Sequence, residues 1–140
     1  MNETKNYSIT KSGAVILEGG ANRGVFTAGA LDFLMEQEYY IPHVIGVSAG
    51  ACNALDYVSR QIGRTRDCMI VTDEKNRYVN KNIKTIVEKK ALLDMDMVFE
   101  RYPYEIFPFD FDTYFASPQT CELAVSYTHL RAHETGRNLV

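Results

Sequence analysis

Two short apolar runs in the first half of the chain predict buried strands. They are Ala14–Leu17 (AVIL) and His43–Val47 (HVIGV), and both have the length and bounding turns of a strand inside a sheet. The segment from Val25 to about Glu38 lies between them, with apolar residues at the i, i+4, i+7 and i+8 spacing of a helix. A second helix is predicted from Ala49 onward. The order strand, helix, strand, helix is typical of an α/β fold.

The helical spacing also predicts which face of each helix is buried. In the first helix the residues at this spacing are Phe26, Ala30, Phe33 and Leu34. In the second they are Ala51, Leu55, Val58 and Ile62, and Gly63 is the expected stop. Both runs therefore predict amphipathic helices covering a sheet.

Later segments carry weaker patterns. Cys68–Thr72 and Cys121–Val125 are candidate strands, and Ile83–Lys90 is a candidate helix. Its lysines and aliphatic residues suggest either a solvated helix face or a peripheral contact with a membrane surface. We therefore expect a three-layer α/β/α fold with a mainly parallel central sheet, incomplete toward the C-terminus.

Composition limits the function classes. The 140 residues are 46% hydrophobic and 24% charged with a formal net charge of -3, which predicts one globular domain and argues against a nucleic-acid binder. The polar N-terminus lacks the apolar segment of a signal peptide, and no apolar run approaches the roughly 20 residues of a membrane span. Three cysteines without metal-like spacing fit free thiols. The sequence predicts a cytoplasmic protein.

A glycine-rich turn follows the first strand. Gly19, Ala21 and Gly24 occupy the positions of a dinucleotide-binding G-x-G-x-x-G motif, but alanine stands in the middle position. The next strand is followed by Ser48 rather than by the acidic residue that would bind a ribose. The dinucleotide hypothesis therefore fails its second requirement. A tight turn without a ligand remains the alternative.

A second turn places a serine between strand and helix. Gly46-Val47-Ser48-Ala49-Gly50 matches G-x-S-x-G in the strand–turn–helix context of a nucleophile elbow. The alternative is that Ser48 simply caps the helix. In a parallel sheet both turns lie at the carboxyl edge, so the glycine turn can offer N–H donors to an oxyanion formed at Ser48. A histidine base is unsupported, since His43 lies at the opposite end of its strand, about 15 Å away.

At this point the chain resembles the patatin-like phospholipase family, which opens with a strand, a G-G-G-x-R-G turn, a helix, a strand and G-x-S-x-G. The resemblance implies a Ser–Asp dyad that cleaves fatty-acyl esters of phospholipids or other lipids through an acyl-enzyme, with no metal or organic cofactor. Ser48 would be the nucleophile, and backbone N–H groups near Gly20 would line the oxyanion hole. The oxyanion turn comprises Gly19, Gly20, Ala21, Asn22, Arg23 and Gly24. Arg23 would orient the turn, meet an anion, or simply lie on the surface.

Two departures from the family pattern stand out. Ala21 replaces the third glycine, and we expect it to avoid a positive φ. The catalytic aspartate, which the family places in an Asp-Gly turn, is absent because no such dipeptide occurs here. We expect solvated or capping roles for the candidate acids, which are Asp94, Asp96, Asp110 and Asp112.

The resemblance also divides the chain. Residues 1–125 are expected to be the N-terminal portion of a patatin-like domain. Residues 126–140 resemble a non-native read-through tail, the alternative being a C-terminal helix. The 140-residue chain alone is then expected to be inactive as a hydrolase. The rival function is a non-catalytic lipid- or anion-binding relative of the same fold.

Overall fold

The computed structural model describes residues 12–79 and 93–124, with the single positions 9 and 87. The described residues up to Arg66 and those from Asp110 onward form one compact unit, and the described residues of Asp67–Phe109 form a second. Apart from Val87, the predicted helix Ile83–Lys90 and its membrane contact lie outside the described residues. The tail 126–140 does so as well.

A parallel sheet organises the first unit. Its strands are β1 (Ala14–Leu17), β2 (His43–Val47) and β3 (Thr120–Ala124), in the order β1-β2-β3. β1 and β2 have the predicted bounds, and β3 confirms the predicted strand near Cys121 within one residue. The register pairs Leu17 with Gly46, so the turns that follow β1 and β2 leave the same edge of the sheet.

Helices flank this sheet. A 3₁₀ turn, Ala21–Arg23, leads into α1 (Gly24–Glu36), and α2 (Ala49–Val58) follows β2 directly. α3 (Arg64–Met69) continues from the first unit into the second, and α4 (Phe111–Ala116) precedes β3. The predicted α/β class with a parallel sheet is thus confirmed. Within the described ranges, no helix combines the length and apolar character that crossing a bilayer requires.

The buried face of α1 differs from the predicted one. Phe26 and Phe33 are 86% and 60% exposed, whereas the buried positions are Gly24, Ala28, Leu31 and Met35. Both stripes obey helical spacing, so periodicity could not choose between them. The small residues Gly24 and Ala28 lie on the buried stripe, which suits the close packing of α1 against α2.

The second helix ends earlier than predicted. α2 stops at Val58, Arg60 adopts a φ of 61°, and the Gln61 N–H donates back to the Asp56 carbonyl oxygen at 2.9 Å. Ile62 therefore lies beyond the helix and is 51% exposed. The left-handed residue at Arg60 ends the helix in the way that glycine usually does, so Gly63 is not the stop.

The core joins both helices to the sheet. Its buried members are Leu17, Leu31, Met35, Tyr40, Val44, Ala54, Tyr57 and Val58. The Tyr57 hydroxyl donates to the Tyr39 carbonyl oxygen at 2.5 Å and accepts from the Ile41 N–H at 2.9 Å. These bonds fix the loop between α1 and β2 against α2, so that β2 enters the sheet in a defined register.

The described residues of the second unit contain little regular structure. The predicted strand Cys68–Thr72 is wrong, because α3 extends to Met69. A 3₁₀ turn (Glu74–Asn76) and a π-helical segment (Met97–Ile106) follow. Pro103 within that segment lacks the N–H of a regular helix, which favours the wider turn. The buried Tyr102 hydroxyl donates to the Asn76 carbonyl oxygen at 2.6 Å.

Candidate active site

The serine turn between β2 and α2 holds Ser48 in an uncommon backbone conformation. Its φ is 53° and its ψ is -120°, and the residue is exposed. Such a conformation costs a non-glycine residue about 1–3 kcal/mol and persists only where surrounding contacts enforce it. The Ser48 hydroxyl makes no cap hydrogen bond to α2. Ser48 is therefore not a side-chain helix cap, and its hydroxyl is directed elsewhere.

Two glycines allow this turn to form. An ideal Cβ on Gly46 would lie 2.7 Å from the Ala51 Cα, and one on Gly50 would lie 2.6 Å from the Leu17 carbonyl carbon. Neither distance is compatible with a side chain. α2 therefore starts directly against the end of β1, and its N-terminal N–H groups lie at the carboxyl edge of the sheet.

The glycine turn after β1 reaches the serine. An ideal Cβ on Gly19 would lie 3.0 Å from the Ser48 Cβ and 3.7 Å from its Oγ. Gly19 thus packs its backbone against the serine side chain, at a separation that only glycine permits. The structure brings together the two turns that the sequence placed at one edge.

Ala21 corrects a sequence expectation. It adopts a φ of 47°, in the left-handed region, although we expected it to avoid a positive φ. This geometry costs an alanine about 1–2 kcal/mol. It is stabilised by the 3₁₀ turn that follows, which the Arg23 N–H closes on the Gly20 carbonyl oxygen at 3.0 Å. Ala21 and Asn22 are exposed at the end of the turn.

Arg23 folds back over this turn. Its Nε lies 3.4 Å from the position of an ideal Gly20 Cβ, while the residue as a whole remains exposed. The guanidinium therefore covers the backbone of the turn and still faces solvent. Orienting the turn and meeting an anion are both compatible with this placement.

Two of the four candidate acids cap helical segments, and the other two are exposed. Asp94 accepts from the Met97 N–H at 3.2 Å and Asp110 accepts from the Thr113 N–H at 2.9 Å, which confirms capping roles for both. Asp96 and Asp112 are exposed. Among the residues that the structure describes, no carboxylate hydrogen-bonds to Ser48.

A buried ion pair lies at the far end of α2. Asp56 is 3% exposed, accepts from Arg64 at 2.7 Å and accepts from the Thr65 hydroxyl at 2.6 Å. Burial raises the pKa of the Asp56 carboxyl, and Arg64 opposes that shift. Asp56 therefore holds α2 to the start of α3 and is engaged away from Ser48.

The described residues show no metal centre. Among residues 12–79 and 93–124, no three His, Cys, Asp or Glu side chains group closely enough to hold an ion. His43 starts β2, opposite the end that leads to Ser48.

Sequence reasoning missed Asn53. It lies on α2, is 1% exposed, and its Nδ2 donates to the Gly24 and Ala49 carbonyl oxygens, both at 3.1 Å. These two residues begin α1 and α2, the helices that follow the two turns. The sequence signal that could have identified Asn53 is a polar residue on the inward-packing face of α2, one turn beyond Gly50.

Comparison with known proteins identifies the family. The family model described as patatin-like phospholipase matches residues 15–137. The uncharacterized protein YjjU of Escherichia coli (strain K12) is 31% identical over 101 residues, which cover 71% of this chain and 28% of YjjU. The chain therefore spans less than a third of that relative. No solved structure gives a significant match.

The matched region begins at the second residue of β1 and includes the glycine turn, β2, the serine turn and β3. That family is one of lipid acyl hydrolases. The chain belongs to the patatin-like phospholipase family.

Proposed function

We propose that this site hydrolyses fatty-acyl ester bonds of lipids, with Ser48 as the nucleophile. The observation that carries the proposal is the meeting of the two turns: an exposed, backbone-strained serine whose side chain packs against Gly19 of a glycine turn. Strain of this kind concentrates at functional sites. A serine that merely ended a strand would need neither the conformation nor the contact.

The geometry supports a covalent mechanism. The Ser48 Oγ attacks the ester carbonyl carbon, and its proton passes to an aspartate base, which the described residues do not supply. The C–O bond then breaks as the aspartic acid returns that proton to the leaving alkoxide, giving a free alcohol and an acyl-enzyme. Water, giving up a proton to the same base, hydrolyses the acyl-enzyme to the free acid and restores the serine. Backbone N–H groups of Gly20, Ala21 and Asn22, with the N-terminus of α2, would stabilise the oxyanion. Removing one such donor typically costs about 10²–10³ in rate.

The surroundings of Ser48 favour an apolar substrate. Val47, next to the nucleophile, is 40% exposed, and Phe26, in the first turn of α1, is 86% exposed. Exposed apolar side chains that adjoin the two turns in sequence suit contact with acyl chains or with a lipid surface. We therefore assign fatty-acyl lipids, phospholipids among them, as the substrate class.

The experiment is ester hydrolysis by the full-length gene product. Release of fatty acid from phosphatidylcholine vesicles and of p-nitrophenol from p-nitrophenyl butyrate should fall at least 10³-fold in Ser48→Ala. Ser117→Ala, which alters a serine bonded to Gln119 rather than to the site, should retain full activity. Equal activity of Ser48→Ala and wild type would contradict the proposal.

A second candidate is a non-catalytic lipid- or anion-binding relative. It is favoured by one observation, namely that no described carboxylate hydrogen-bonds to Ser48 to act as its base. A binder would associate with phosphatidylcholine vesicles, show no ester turnover, and bind equally well as Ser48→Ala. An enzyme would show turnover that depends on Ser48.

A further inference from the structure

One buried amide connects the two turns of the site. Asn53 donates through Nδ2 to the carbonyl oxygen of Gly24, the first residue of α1, and to that of Ala49, the first residue of α2. Gly24 closes the glycine turn, and Ala49 follows Ser48 directly. A single side chain is thus bonded to the backbone next to the expected oxyanion donors and to the backbone next to the nucleophile.

The chemistry of this site selects asparagine. Both acceptors are carbonyl oxygens at 3.1 Å, so the position requires a donor of two hydrogen bonds. The Asn53 Oδ1 is buried and meets no donor among the described residues. An aspartate would place a carboxylate against two carbonyl oxygens, and a leucine would donate nothing. The amide therefore supplies two N–H donors at this position, although its own acceptor oxygen has no hydrogen-bond donor among the described residues.

We propose that Asn53 is a positioning residue that fixes the distance between the glycine turn and Ser48. Neither turn is relaxed on its own, since Ala21 and Ser48 both have positive φ. Such turns keep their shape only when outside contacts over-determine them. The Asn53 bonds supply that constraint where α1 and α2 begin, and the small buried residues Ala28 and Ala54 lie on the same two helices.

The catalytic consequence rests on the function proposed above. A displacement of about 1 Å between donors and nucleophile can reduce a rate about 10²-fold. Asn53 contacts neither ester nor reacting oxygen, so its loss should lower kcat and leave KM nearly unchanged. The mechanical link between the turns does not depend on any activity and can be measured separately.

The first measurement is amide hydrogen exchange in the 140-residue chain. Asn53→Leu keeps the branched shape of the side chain, at a larger volume, and removes both donors. The Arg23 N–H, bonded to the Gly20 oxygen, and the Ala51 N–H, bonded to the Ser48 oxygen, should exchange at least tenfold faster relative to the amides of β2. Asn53→Ala, which fits without overpacking, should show the same selective acceleration and replaces Asn53→Leu if the latter does not fold.

Thr65→Val is the matched control. It removes a buried hydrogen bond to Asp56, away from both turns, and should accelerate exchange without selecting Arg23 or Ala51. The proposal is overturned if the Asn53 variants accelerate those two amides no more than β2. It is also overturned if Thr65→Val shows the same selectivity.

The second measurement uses ester turnover by the full-length gene product. Asn53→Leu should lower kcat 10–100-fold with KM within twofold, and Thr65→Val should leave both unchanged. An unchanged kcat in Asn53→Leu contradicts the positioning role. If the wild type turns over no ester, the proposed function fails, while the exchange experiment still decides whether Asn53 links the turns.

Discussion

The site turns and the helix ends of this protein place non-glycine residues at positive φ for different reasons. Glu38 and Arg60 have φ values of 52° and 61° and lie just beyond α1 and α2. Their N–H groups donate to the Met35 and Tyr57 carbonyl oxygens in the ordinary way that helices end.

Ala21 and Ser48, at 47° and 53°, lie instead in the turns that follow β1 and β2. At Ser48 the conformation is enforced from outside, by the contact with Gly19 and by the close approach of Gly50 to β1. At Ala21 it is held by the 3₁₀ turn Ala21–Arg23, which the Arg23 N–H closes on the Gly20 carbonyl oxygen. The strain at a helix end is local, and a glycine substituted at that position would relieve it. The strain at Ser48 depends on tertiary packing, so changing that packing should alter function as well as stability.

The largest expected effect comes from the packing that enforces the site turns. Gly50→Ala places a Cβ against the Leu17 carbonyl group and should lower the free energy of unfolding by about 3 kcal/mol. The control is Gly29→Ala on α1, where a Cβ meets nothing within 4 Å. This variant should raise the free energy of unfolding by about 0.5–1 kcal/mol. Urea unfolding measures both, and equal effects of the two variants would contradict the packing argument.

The next effect concerns the strained serine itself. Ser48→Gly should raise the free energy of unfolding by about 1 kcal/mol, because glycine accepts the backbone conformation, and should abolish ester turnover. Ser48→Ala keeps the strain and should change stability by less than about 0.5 kcal/mol. Thermal unfolding of the three proteins distinguishes them. Destabilisation by glycine would mean that the serine conformation is not strained.

Ala21→Gly tests the other site turn. It should stabilise the chain by about 1 kcal/mol, since the left-handed penalty on alanine is removed. Its N–H remains, so the rate of ester hydrolysis should stay within a few-fold of wild type. Urea unfolding and p-nitrophenyl butyrate turnover check the two parts, and a loss of stability would be inconsistent with the observed φ.

The smallest effects are expected at the helix ends. Glu38→Gly should raise the free energy of unfolding by about 0.5–1 kcal/mol and leave the activity unchanged. Arg60→Gly should leave the free energy of unfolding unchanged, because it also removes the guanidinium that lies 4.1 Å from the centre of the Tyr40 ring. That cation–π contact contributes about 0.5–1 kcal/mol. Thermal unfolding of the pair tests this difference. A larger increase in stability for Arg60→Gly than for Glu38→Gly would show that the contact with Tyr40 is not stabilising.

The sequence predicted the strands and the meeting of the turns, but not the strain. β1 and β2 were predicted residue by residue because each is a continuous apolar run between turn signals. The two turns share an edge because parallel strands end on the same side. The φ of Ala21 was predicted wrongly, because motif spacing does not reveal the 3₁₀ turn that begins at this residue and stabilises its conformation.

Which residues are buried could also not be predicted without the tertiary structure. Phe26 and Phe33 have the spacing of a buried stripe, yet α1 packs through its smaller residues and leaves both phenylalanines exposed. Asn53 has no motif of its own, and its importance follows from two carbonyl oxygens that lie far apart in sequence. The strand predicted over Cys68–Thr72 failed because a short apolar run has no strong preference between helix and strand.

The most direct test of the central claim is covalent labelling by a fluorophosphonate probe. The full-length gene product is treated with the probe, digested and mapped by mass spectrometry. An active Ser48 beside a formed oxyanion turn predicts one phosphonate per chain, on the peptide containing Ser48, and none in Ser48→Ala. Modification of a different serine, with ester turnover intact in Ser48→Ala, would contradict the account.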